Sequence, residues 1–230
     1  MKHNLNHLAI IMDGNARWAN KHGKTRAEGH KRGAETAKSL LSYSSKLSIK
    51  YLTLYAFSSE NWQRPANEVA ILLKLLSHYV KNATKTLSDH QIKLKIIGKL
   101  DKLSSGLQKK INNVIEITKY NSKMTVTIAF GYGGRDEIVN ACQKALDSGI
   151  TTITEENFQD FLYDPEMPDV DLLIRPSGVY RISNFLLWQA AYAELYFLDK
   201  FWPDFNEDDL KDAIINYSQR KRNFGSRKNE

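Results

Sequence analysis

The stretch HLAIIMDGNARWANKHG, residues 7–23, decides the fold class because an apolar strand in it stops abruptly at polar residues. Leu8–Met12 are apolar without alternation, which is typical of a strand buried on both faces of a parallel sheet. Asp13–Asn15 follow at once, and Arg17 and Trp18 come soon after. A carboxylate, a flexible glycine, an amide and an arginine at the end of one strand suit an anionic ligand. The alternative is a turn with a helix cap.

The remaining sequence alternates short apolar runs with helical patterns, which predicts an α/β fold: a mostly parallel six-stranded sheet flanked by helices. We expect a single domain over residues 1–230, with flexible ends at 1–6 and about 223–230. The predicted strands are Leu8–Met12, Tyr51–Phe57, Ile92–Ile97, Thr125–Phe130, Val170–Ile174 and Glu194–Leu198. Helices are predicted near residues 28–47, 66–88, 104–119, 135–147, 155–162, 184–192 and 207–221.

The composition points to anionic partners and a reducing compartment. Lys and Arg number 33 against 26 acidic residues, and this net charge of +7 suits nucleic acid, a lipid surface or phosphorylated small molecules. The single cysteine, Cys142, excludes an internal disulfide and is expected to be a buried structural thiol. No signal-peptide pattern is visible, and the most apolar stretch, residues 185–198, is too short to cross a bilayer. We therefore expect a soluble cytoplasmic protein.

Polar segments follow four of the six predicted strands, at residues 13–15, 57–65, 131–137 and 175–184. Between them they supply Gly, Ser, Asn and Arg, which suit phosphate oxygens. Because the carboxyl ends of parallel strands lie at one edge of a sheet, we expect these segments to converge there.

Asp13 is a candidate ligand for Mg²⁺, which often takes one or two carboxylates together with substrate phosphates. Arg17, Arg26 and His30 would add positive charge nearby. Glu194, at the start of the last strand, is a second carboxylate that could join the metal. The alternative for Glu194 is a pair with an arginine.

The segment 58–64 holds more hydrogen-bond donors than a connector needs, namely Ser58, Ser59, Asn61 and Arg64. It could be a lid that moves over a ligand, and the alternative is an ordinary loop with its tryptophan packed on the surface.

The turn after the fifth predicted strand brings two arginines and a serine together: Arg175, Arg181 and Ser183. Arginine side chains bind phosphate oxygens bidentately, so this turn is a candidate second anion site. The alternative is a set of ordinary surface arginines.

The predicted helix 66–88 has an apolar arc wider than a normal buried stripe, because Ile71 and Leu75 extend the helical pattern. Such a helix can be simple core, or part of its face can line a cavity for an apolar chain.

Long segments of the sequence resemble the cis-prenyltransferases, the family that includes bacterial undecaprenyl diphosphate synthases. The matching segments are HLAIIMDGNARWA, RAEGHKRGA, LTLYAFSSENWQRP, YGGRDEIV, RISNFLLWQAAYAELYF and WPDF, in this order from about residue 7 to 225. The resemblance implies an enzyme that condenses isopentenyl diphosphate onto farnesyl diphosphate with cis double bonds, requires Mg²⁺ and works as a homodimer. It further implies undecaprenyl diphosphate as the product, a lipid carrier precursor for peptidoglycan synthesis. Peripheral membrane contact for product release is expected, and nucleic acid is not an expected partner.

The resemblance also implies roles for individual residues. Asp13 and Asn61 would be catalytic, and Asp13 would hold the metal together with Glu194, an acid near the metal at the dimer interface. An apolar tunnel walled by the sheet and the helices near 28–47 and 66–88 would receive the growing chain. The expected substrate-binding residues are Gly14, Asn15, Ala16, Arg17, Trp18, Arg26, His30, Ser58, Ser59, Glu60, Trp62, Arg64, Arg175, Arg181 and Ser183.

The sequence departs from the family pattern at four places. Ala16 replaces a usual glycine, Gly131 replaces an asparagine, and Asn223 replaces an arginine. The usual Arg-Thr-x-Gly-Glu turn reads Arg-Pro-Ser-Gly-Val at residues 175–179. These departures concern metal and isopentenyl diphosphate binding and leave the cluster around Asp13 intact.

Three rival functions stay open from the residues. A Mg²⁺-dependent phosphohydrolase commonly has a second Asp two positions after the first, where this chain has Asn15. A non-catalytic subunit of a prenyltransferase tends to lose the acid and the loop asparagine, whereas Asp13 and Asn61 are both present. Nucleic-acid binding would rest on the net charge and the basic segment 220–228.

Overall fold

The computed structural model describes residues 4–222 and contains one six-stranded sheet in the order β3-β4-β2-β1-β5-β6. Every neighbouring pair of strands is parallel, so the predicted fold class is confirmed and the sheet is entirely rather than mostly parallel. The strands are β1 His7–Ile11, β2 Tyr51–Ser58, β3 Ile92–Ile97, β4 Met124–Tyr132, β5 Leu172–Pro176 and β6 Glu194–Leu198.

Within the described residues seven α-helices flank the sheet: α1 Asn15–Lys21, α2 Arg26–Lys46, α3 Ala66–Asp89, α4 Ser105–Thr118, α5 Gly134–Asp147, α6 Glu155–Phe158 and α7 Glu207–Gln219. Short 3₁₀ turns cover Ser59–Gln63, Gln159–Phe161 and Trp202–Asp204. Of the helices between residues 4 and 222, none combines the length and apolarity needed to cross a membrane.

The helices begin where local capping chemistry favours them. Thr25 accepts a hydrogen bond from the backbone N–H of Glu28, whose carboxylate accepts from the N–H of Thr25, a capping box that starts α2. Pro65 precedes α3, where the absence of its N–H costs nothing. These signals fix where the two longest helices leave the sheet edge.

The two faces of the sheet bury separate cores. One face packs against α2, α3, α4 and α7. The other packs against the segments around residues 163–170 and 182–190. β1 is buried along its whole length between β2 and β5, which explains its unbroken apolar sequence.

Three predictions about local structure are wrong. Residues 184–192 form turns rather than a helix, because Asn184 and Leu186 adopt left-handed φ angles of 63° and 45°. The short helix α1 was not expected. Cys142 is exposed rather than buried, because α5 turns Ala141 and Ala145 into the core and leaves Cys142 on the outward face.

The two chain ends are described only in part. Leu5 is buried in the core, and the backbone N–H of Asn6 donates to Asp171 at 2.8 Å. The predicted flexible end at about 223–230, with the departure at Asn223, lies outside the described residues.

A cavity of about 420 Å³ lies between α2, α3 and the sheet. Its walls are mostly apolar, with Leu41, Leu76 and Ile96 among the lining side chains, whereas Asn15 and His30 line it near the start of α2. Part of the apolar arc of α3 therefore faces a space rather than solid core.

Gly33 in α2 lies against the turn that holds Asn15. A Cβ at Gly33 would come within 2.1 Å of Asn15 Oδ1 and 2.9 Å of Trp202 Cδ1. We expect Gly33→Ala to lower the free energy of unfolding by about 1–3 kcal/mol through overpacking, although alanine is otherwise the better helix former. Urea unfolding of the two proteins measures the difference.

Gly106 in α4 is the matched control, because a Cβ there would have no neighbour within 4 Å. Gly106→Ala should leave stability unchanged or raise it by about 0.5–1 kcal/mol. Equal effects of the two substitutions would contradict the close approach of α2 to the Asn15 turn.

Candidate functional site

Asp13 lies just after β1 and is bound by two arginines. Its Oδ2 is 2.9 Å from Arg175 Nη2 and 3.2 Å from Arg17 Nη2. Arg17 also donates to Oγ and to the carbonyl oxygen of Ser177, at 2.7 and 3.0 Å. The ends of β1 and β5 are thus joined by charged side chains, as the sequence predicts for the carboxyl edge.

Arg175 is the buried member of this cluster, with 5% of its surface exposed. Its Nη1 donates to Ser183 Oγ at 2.7 Å and to the backbone carbonyl of Arg181, while its Nε has no partner among the described atoms. The guanidinium therefore fixes Asp13 and the turn after β5 in one arrangement. The side chain of Arg181 is exposed at this turn.

The carboxyl group of Asp13 is held in its charged form. Burial alone would raise its pKa, but hydrogen bonds from Arg175 and Ser177 and the charges of Arg175 and Arg17 lower the pKa below its ordinary value. Asp13 is therefore an anionic oxygen donor at neutral pH, within a ring of cationic groups.

A second cluster of charges centres on Glu68 near the start of α3. Arg26 Nη1 is 2.7 Å from Oε2 of this buried carboxylate, and Arg64 Nη1 is 3.0 Å from Oε1. Both arginines are more than a third exposed, so their guanidinium groups remain open to a ligand. Glu68 was not predicted as a site residue, because its partner Arg64 lies before α3 in extended backbone and helical spacing does not link the two.

His30 lies beside this cluster and lines the cavity. Burial lowers its pKa, Glu68 opposes this effect, and Arg64 and Arg26 lower the pKa further. Its Nε2 is buried without a partner among the described atoms. His30 is thus a neutral polar group that faces the boundary between charged edge and apolar cavity.

The segment after β2 is a compact 3₁₀ turn. The backbone N–H of Ser58 donates to Asn61 Oδ1 at 3.0 Å, so the predicted catalytic asparagine caps its own turn. Trp62 packs edge-on against Phe57 and Phe130, with ring centroids 4.7 and 6.3 Å apart. The tryptophan is half-buried against the sheet rather than placed on the surface.

Asn184 joins three strand ends and was also missed. Its Nδ2 donates to Glu60 Oε1 at 3.0 Å, and its Oδ1 accepts from the backbone N–H of Arg135 at 2.9 Å. Its carbonyl oxygen accepts from the N–H of Gly134 at 2.7 Å. Residues that follow β2, β4 and β5 meet at this one amide. Because residues 184–192 were predicted to form a helix, this bridging role of Asn184 was not predicted.

The start of α1 completes the edge. Gly14 has a φ of 102°, and a Cβ there would lie 2.9 Å from the ring of Phe201, so only glycine suits this position. Asn15 has a buried Oδ1 without a partner among the described atoms. Ala16 follows in the first turn of α1, and Trp18 Nε1 donates to Asp204 at 2.7 Å.

The remaining predicted residues differ in their placement. Ser59 lies beside Gly133 after β4, where a Cβ on the glycine would be 2.6 Å from its Oγ. Glu194 lies at the amino end of β6, paired with Leu172 of β5, and forms a salt bridge of 2.7 Å with Arg220.

Glu194 and Asp13 therefore lie at opposite edges of the sheet. Leu8 is in register with Leu172 and so with Glu194, and Asp13 is five residues beyond Leu8, roughly 16 Å farther along the strands. Within one chain they cannot share an ion, and the alternative of an arginine pair describes Glu194 as observed.

Over the part of the chain that the structure describes, no three His, Cys, Asp or Glu side chains are grouped as a metal site. The donor set at the end of β1 is the charged carboxylate of Asp13, among arginines suited to phosphates. This chemistry fits Mg²⁺ that is held jointly by a carboxylate and the phosphates of a substrate, rather than a metal caged by protein ligands alone.

A buried network of polar side chains lies below the site and is centred on Glu137. Glu137 accepts hydrogen bonds from the Tyr132 hydroxyl and from Gln189 Nε2, and burial raises its pKa. The network ties the end of β4 and the start of α5 to the turns that contain Asn184.

Comparisons with known proteins agree with this geometry. A family model described as "Putative undecaprenyl diphosphate synthase" matches residues 11–225. An isoprenyl transferase of Rickettsia sibirica is 61% identical over 97% of this chain and 99% of its own length. An isoprenyl transferase of Fusobacterium nucleatum is 50% identical over 97% of this chain and 96% of its own length.

Two solved structures share the fold. Lavandulyl diphosphate synthase from Lavandula x intermedia, in complex with dimethylallyl diphosphate, superposes with a TM-score of 0.92 at 38% identity, over 96% of this chain and 98% of that chain. A Campylobacter jejuni protein described as "a probable undecaprenyl diphosphate synthase" gives a TM-score of 0.84 at 34% identity, over 98% of this chain and 100% of that chain.

Proposed function

The chain belongs to the undecaprenyl diphosphate synthase family of prenyltransferases, and from this membership we propose that it condenses isopentenyl diphosphate units onto farnesyl diphosphate in cis configuration. The proposed product is a long-chain polyprenyl diphosphate of undecaprenyl length, which would serve as lipid carrier precursor in peptidoglycan synthesis. We propose that the enzyme acts in the cytoplasm, at the inner face of the membrane.

One observation supports the proposal above all others: a charged edge suited to diphosphates lies directly beside an apolar cavity. Asn15 and His30 line the cavity of about 420 Å³, while Asp13 and Arg17 each lie two residues from Asn15 along the chain and form the adjoining charged cluster. An allylic diphosphate has a charged diphosphate group at one end and an apolar hydrocarbon chain at the other. The charged edge suits the first, and the adjoining cavity suits the second.

The allylic substrate would place its diphosphate among the exposed cations of this edge. Arg17, Arg26 and Arg64 can donate to its oxygens, and His30 can add a neutral hydrogen bond. Hydrogen bonds to charged groups contribute roughly 1.5–3 kcal/mol each, so several of them hold the ground state and stabilise the leaving diphosphate. The homologous fold that was solved with dimethylallyl diphosphate supports an allylic ligand in this class of protein.

Mg²⁺ would be held by Asp13 together with the diphosphate oxygens, and when bound it supplies charge that stabilises the leaving group. Arg175 keeps Asp13 ionised and oriented for this task. The second proposed ligand, Glu194, could act only from a different chain, because within one chain it lies at the opposite edge.

Isopentenyl diphosphate would bind at the turn after β5, where Arg181 and Ser183 are exposed. Its double bond attacks the allylic carbon as the carbon–oxygen bond to the diphosphate breaks. The adduct then loses a proton, which we assign to the departing diphosphate because an amide such as Asn61 is a poor proton acceptor. Asn61 would shape the turn that closes over the substrates.

The test is incubation of the purified chain with farnesyl diphosphate, labelled isopentenyl diphosphate and Mg²⁺, followed by chromatography of the lipids. We expect long products, none after chelation of the metal, and recovery when Mg²⁺ is restored. No elongation by the chain alone would favour a non-catalytic subunit, and phosphate release from generic phosphoesters would favour a phosphohydrolase. Salt-sensitive binding of nucleic acid in gel shifts would favour the third rival.

We propose that the cavity is a tunnel that receives the growing chain, and its size should limit product length. Ala83 of α3 lines the cavity, so Ala83→Phe should shorten the longest product by one or more isoprene units. Ala70, exposed on the same helix, provides the control Ala70→Phe, which should leave product length unchanged. Chromatography of the products from both variants measures the effect. Equal product lengths in all three proteins would contradict the tunnel.

Release of the product should limit steady turnover. Each buried CH₂ contributes roughly 0.8 kcal/mol, so each added isoprene unit tightens retention in the cavity. Rapid quenching should show a burst of product before the steady state, and detergent should accelerate the steady phase. A linear time course without a burst would show that chemistry is limiting instead.

We further propose that two copies form a homodimer. The partner would supply an acid such as Glu194 to the metal. The oligomeric state by light scattering tests this directly.

A further inference from the structure

Five exposed lysines on α3 and α4 have no acidic partner among the described residues. Lys74, Lys81 and Lys85 of α3 are spaced by seven and four residues, which places them on one face of the helix. Lys109 and Lys110 of α4 are exposed beside them. We call these five residues the lysine face, and none of them forms an ion pair or hydrogen bond with another described residue.

Acidic residues are absent from the same stretch of α3. No Asp or Glu occurs in residues 69–88, whereas two lysines at other positions have acidic partners: Lys119 at the end of α4 pairs with Glu116, and Lys211 of α7 pairs with Asp208. The lysine face is therefore a patch of one sign of charge rather than a mixed solvated surface.

A groove runs through the lysine face between α3 and α4. It has a volume of about 360 Å³, and Leu73, Leu103 and Leu107 line it together with the amphipathic Lys74 and Lys110. Ile117 and Tyr120, with exposed fractions of 49% and 85%, extend the apolar surface along the C-terminal end of α4. Cationic side chains around an apolar groove suit a surface that is both anionic and apolar just below it.

On its other flank, α3 forms the open side of the cavity. Lys38 of α2 and His78 and Asn82 of α3 line the cavity and are exposed, so the cavity opens to solvent between the two helices. The mouth of an apolar cavity and the lysine face thus lie on adjacent sides of one helix.

We propose that the lysine face docks on an anionic phospholipid membrane and thereby holds the opening between α2 and α3 against the bilayer. The use of that opening for a polyprenyl chain rests on the proposed function, whereas docking itself does not. In this arrangement the apolar product leaves the cavity into lipid rather than into water, and the five lysines set the orientation of the chain on the surface.

Sedimentation of the full chain with vesicles tests the docking without any substrate. We expect binding to vesicles of equal parts phosphatidylcholine and phosphatidylglycerol, weakening as salt is raised, and no binding to phosphatidylcholine alone. The triple variant Lys74→Gln, Lys81→Gln, Lys85→Gln keeps helix propensity, and its binding should fall by about 100-fold, since each lysine near an anionic surface strengthens binding roughly fivefold. Elongation in detergent should match that of the unsubstituted chain.

The matched control is the triple variant Lys21→Gln, Lys50→Gln, Lys221→Gln, which removes the same charge from exposed positions outside α3 and α4. It should bind vesicles within about threefold of the unsubstituted chain. The proposal is overturned if the unsubstituted chain ignores anionic vesicles, if it binds neutral vesicles equally, or if both triple variants lose the same affinity. Since binding is measured apart from catalysis, an inactive chain that still shows this lysine dependence would refute the proposed function and leave the docking surface intact.

Discussion

Asp13→Asn lowers kcat/KM for elongation by about 10³-fold or more, because it removes the carboxylate between Arg175 and Arg17 while preserving the shape of the side chain. In the structure this carboxylate contacts Arg175 and Arg17 and is held ionised by them. Asparagine cannot supply the negative oxygen that would bind Mg²⁺ beside the diphosphate. Steady-state assays with each substrate varied in turn measure the loss.

The free energy of unfolding must also be measured for Asp13→Asn, because this variant leaves the buried charge of Arg175 without its acidic partner. The measurement shows whether lost activity comes from unfolding. We expect the free energy of unfolding to fall by about 1–3 kcal/mol at neutral pH, too little to unfold the chain. Because folding lowers the pKa of Asp13, the stabilisation is present above the ordinary value of 3.8 and is lost as the pH falls through the lower pKa of the folded state. The stability difference between the two proteins should therefore shrink in acid. Activity within tenfold of the unsubstituted chain would show that Asp13 is not the centre of the site.

Arg175→Lys should lower kcat/KM by about 100-fold, because the single nitrogen of lysine cannot occupy both positions from which Nη1 and Nη2 of the guanidinium donate. Arg175 donates to Asp13, to Ser183 and to the carbonyl of Arg181 from a buried position. We also expect the free energy of unfolding to fall by about 2–4 kcal/mol, as for other disrupted buried ion pairs. Kinetics and urea unfolding of the same preparation measure both effects.

Arg181→Gln separates substrate binding from this positioning role, because Arg181 is exposed at the same turn. It should raise KM for isopentenyl diphosphate several-fold with stability unchanged within about 0.5 kcal/mol. If Arg175→Lys and Arg181→Gln gave the same kinetic and stability profile, the assignment of Arg175 to the support of Asp13 would fail.

The fold was predictable from sequence where strands are buried on both faces. β1, β2 and β4 are largely buried along their length, and their predicted limits differ from the observed ones by no more than two residues. β3, at the sheet edge, alternates apolar residues with lysines, and its limits were predicted as observed. The order of the strands was not predictable, since register and neighbours depend on long-range packing. The failed helix at 184–192 has the same origin: its apolar residues fill the second core from turns that hold positive φ angles, which periodicity does not reveal.

The sequence allowed us to predict which strand ends form the candidate site, but not the hydrogen bonds and ion pairs that connect them. Asp13, Arg17, Arg175 and Ser183 come together as expected because parallel strands share their carboxyl edge. The bridging roles of Glu68 and Asn184 depend on contacts between segments far apart in the chain, and a single sequence does not show such contacts. Glu194 lies, within the chain, at the opposite end of the strands from Asp13, so its expected place near the metal at a dimer interface stays a prediction about two chains.

The most direct test of the whole account is a crystal structure of the chain with Mg²⁺ and a farnesyl thiodiphosphate that cannot ionise. We expect the diphosphate to lie within hydrogen-bond distance of Arg17 and Arg26, and the Mg²⁺ ion to lie between the diphosphate and Asp13. The farnesyl chain should occupy the cavity between α2 and α3. A ligand bound with its diphosphate away from Asp13, or with its apolar chain outside that cavity, would contradict it.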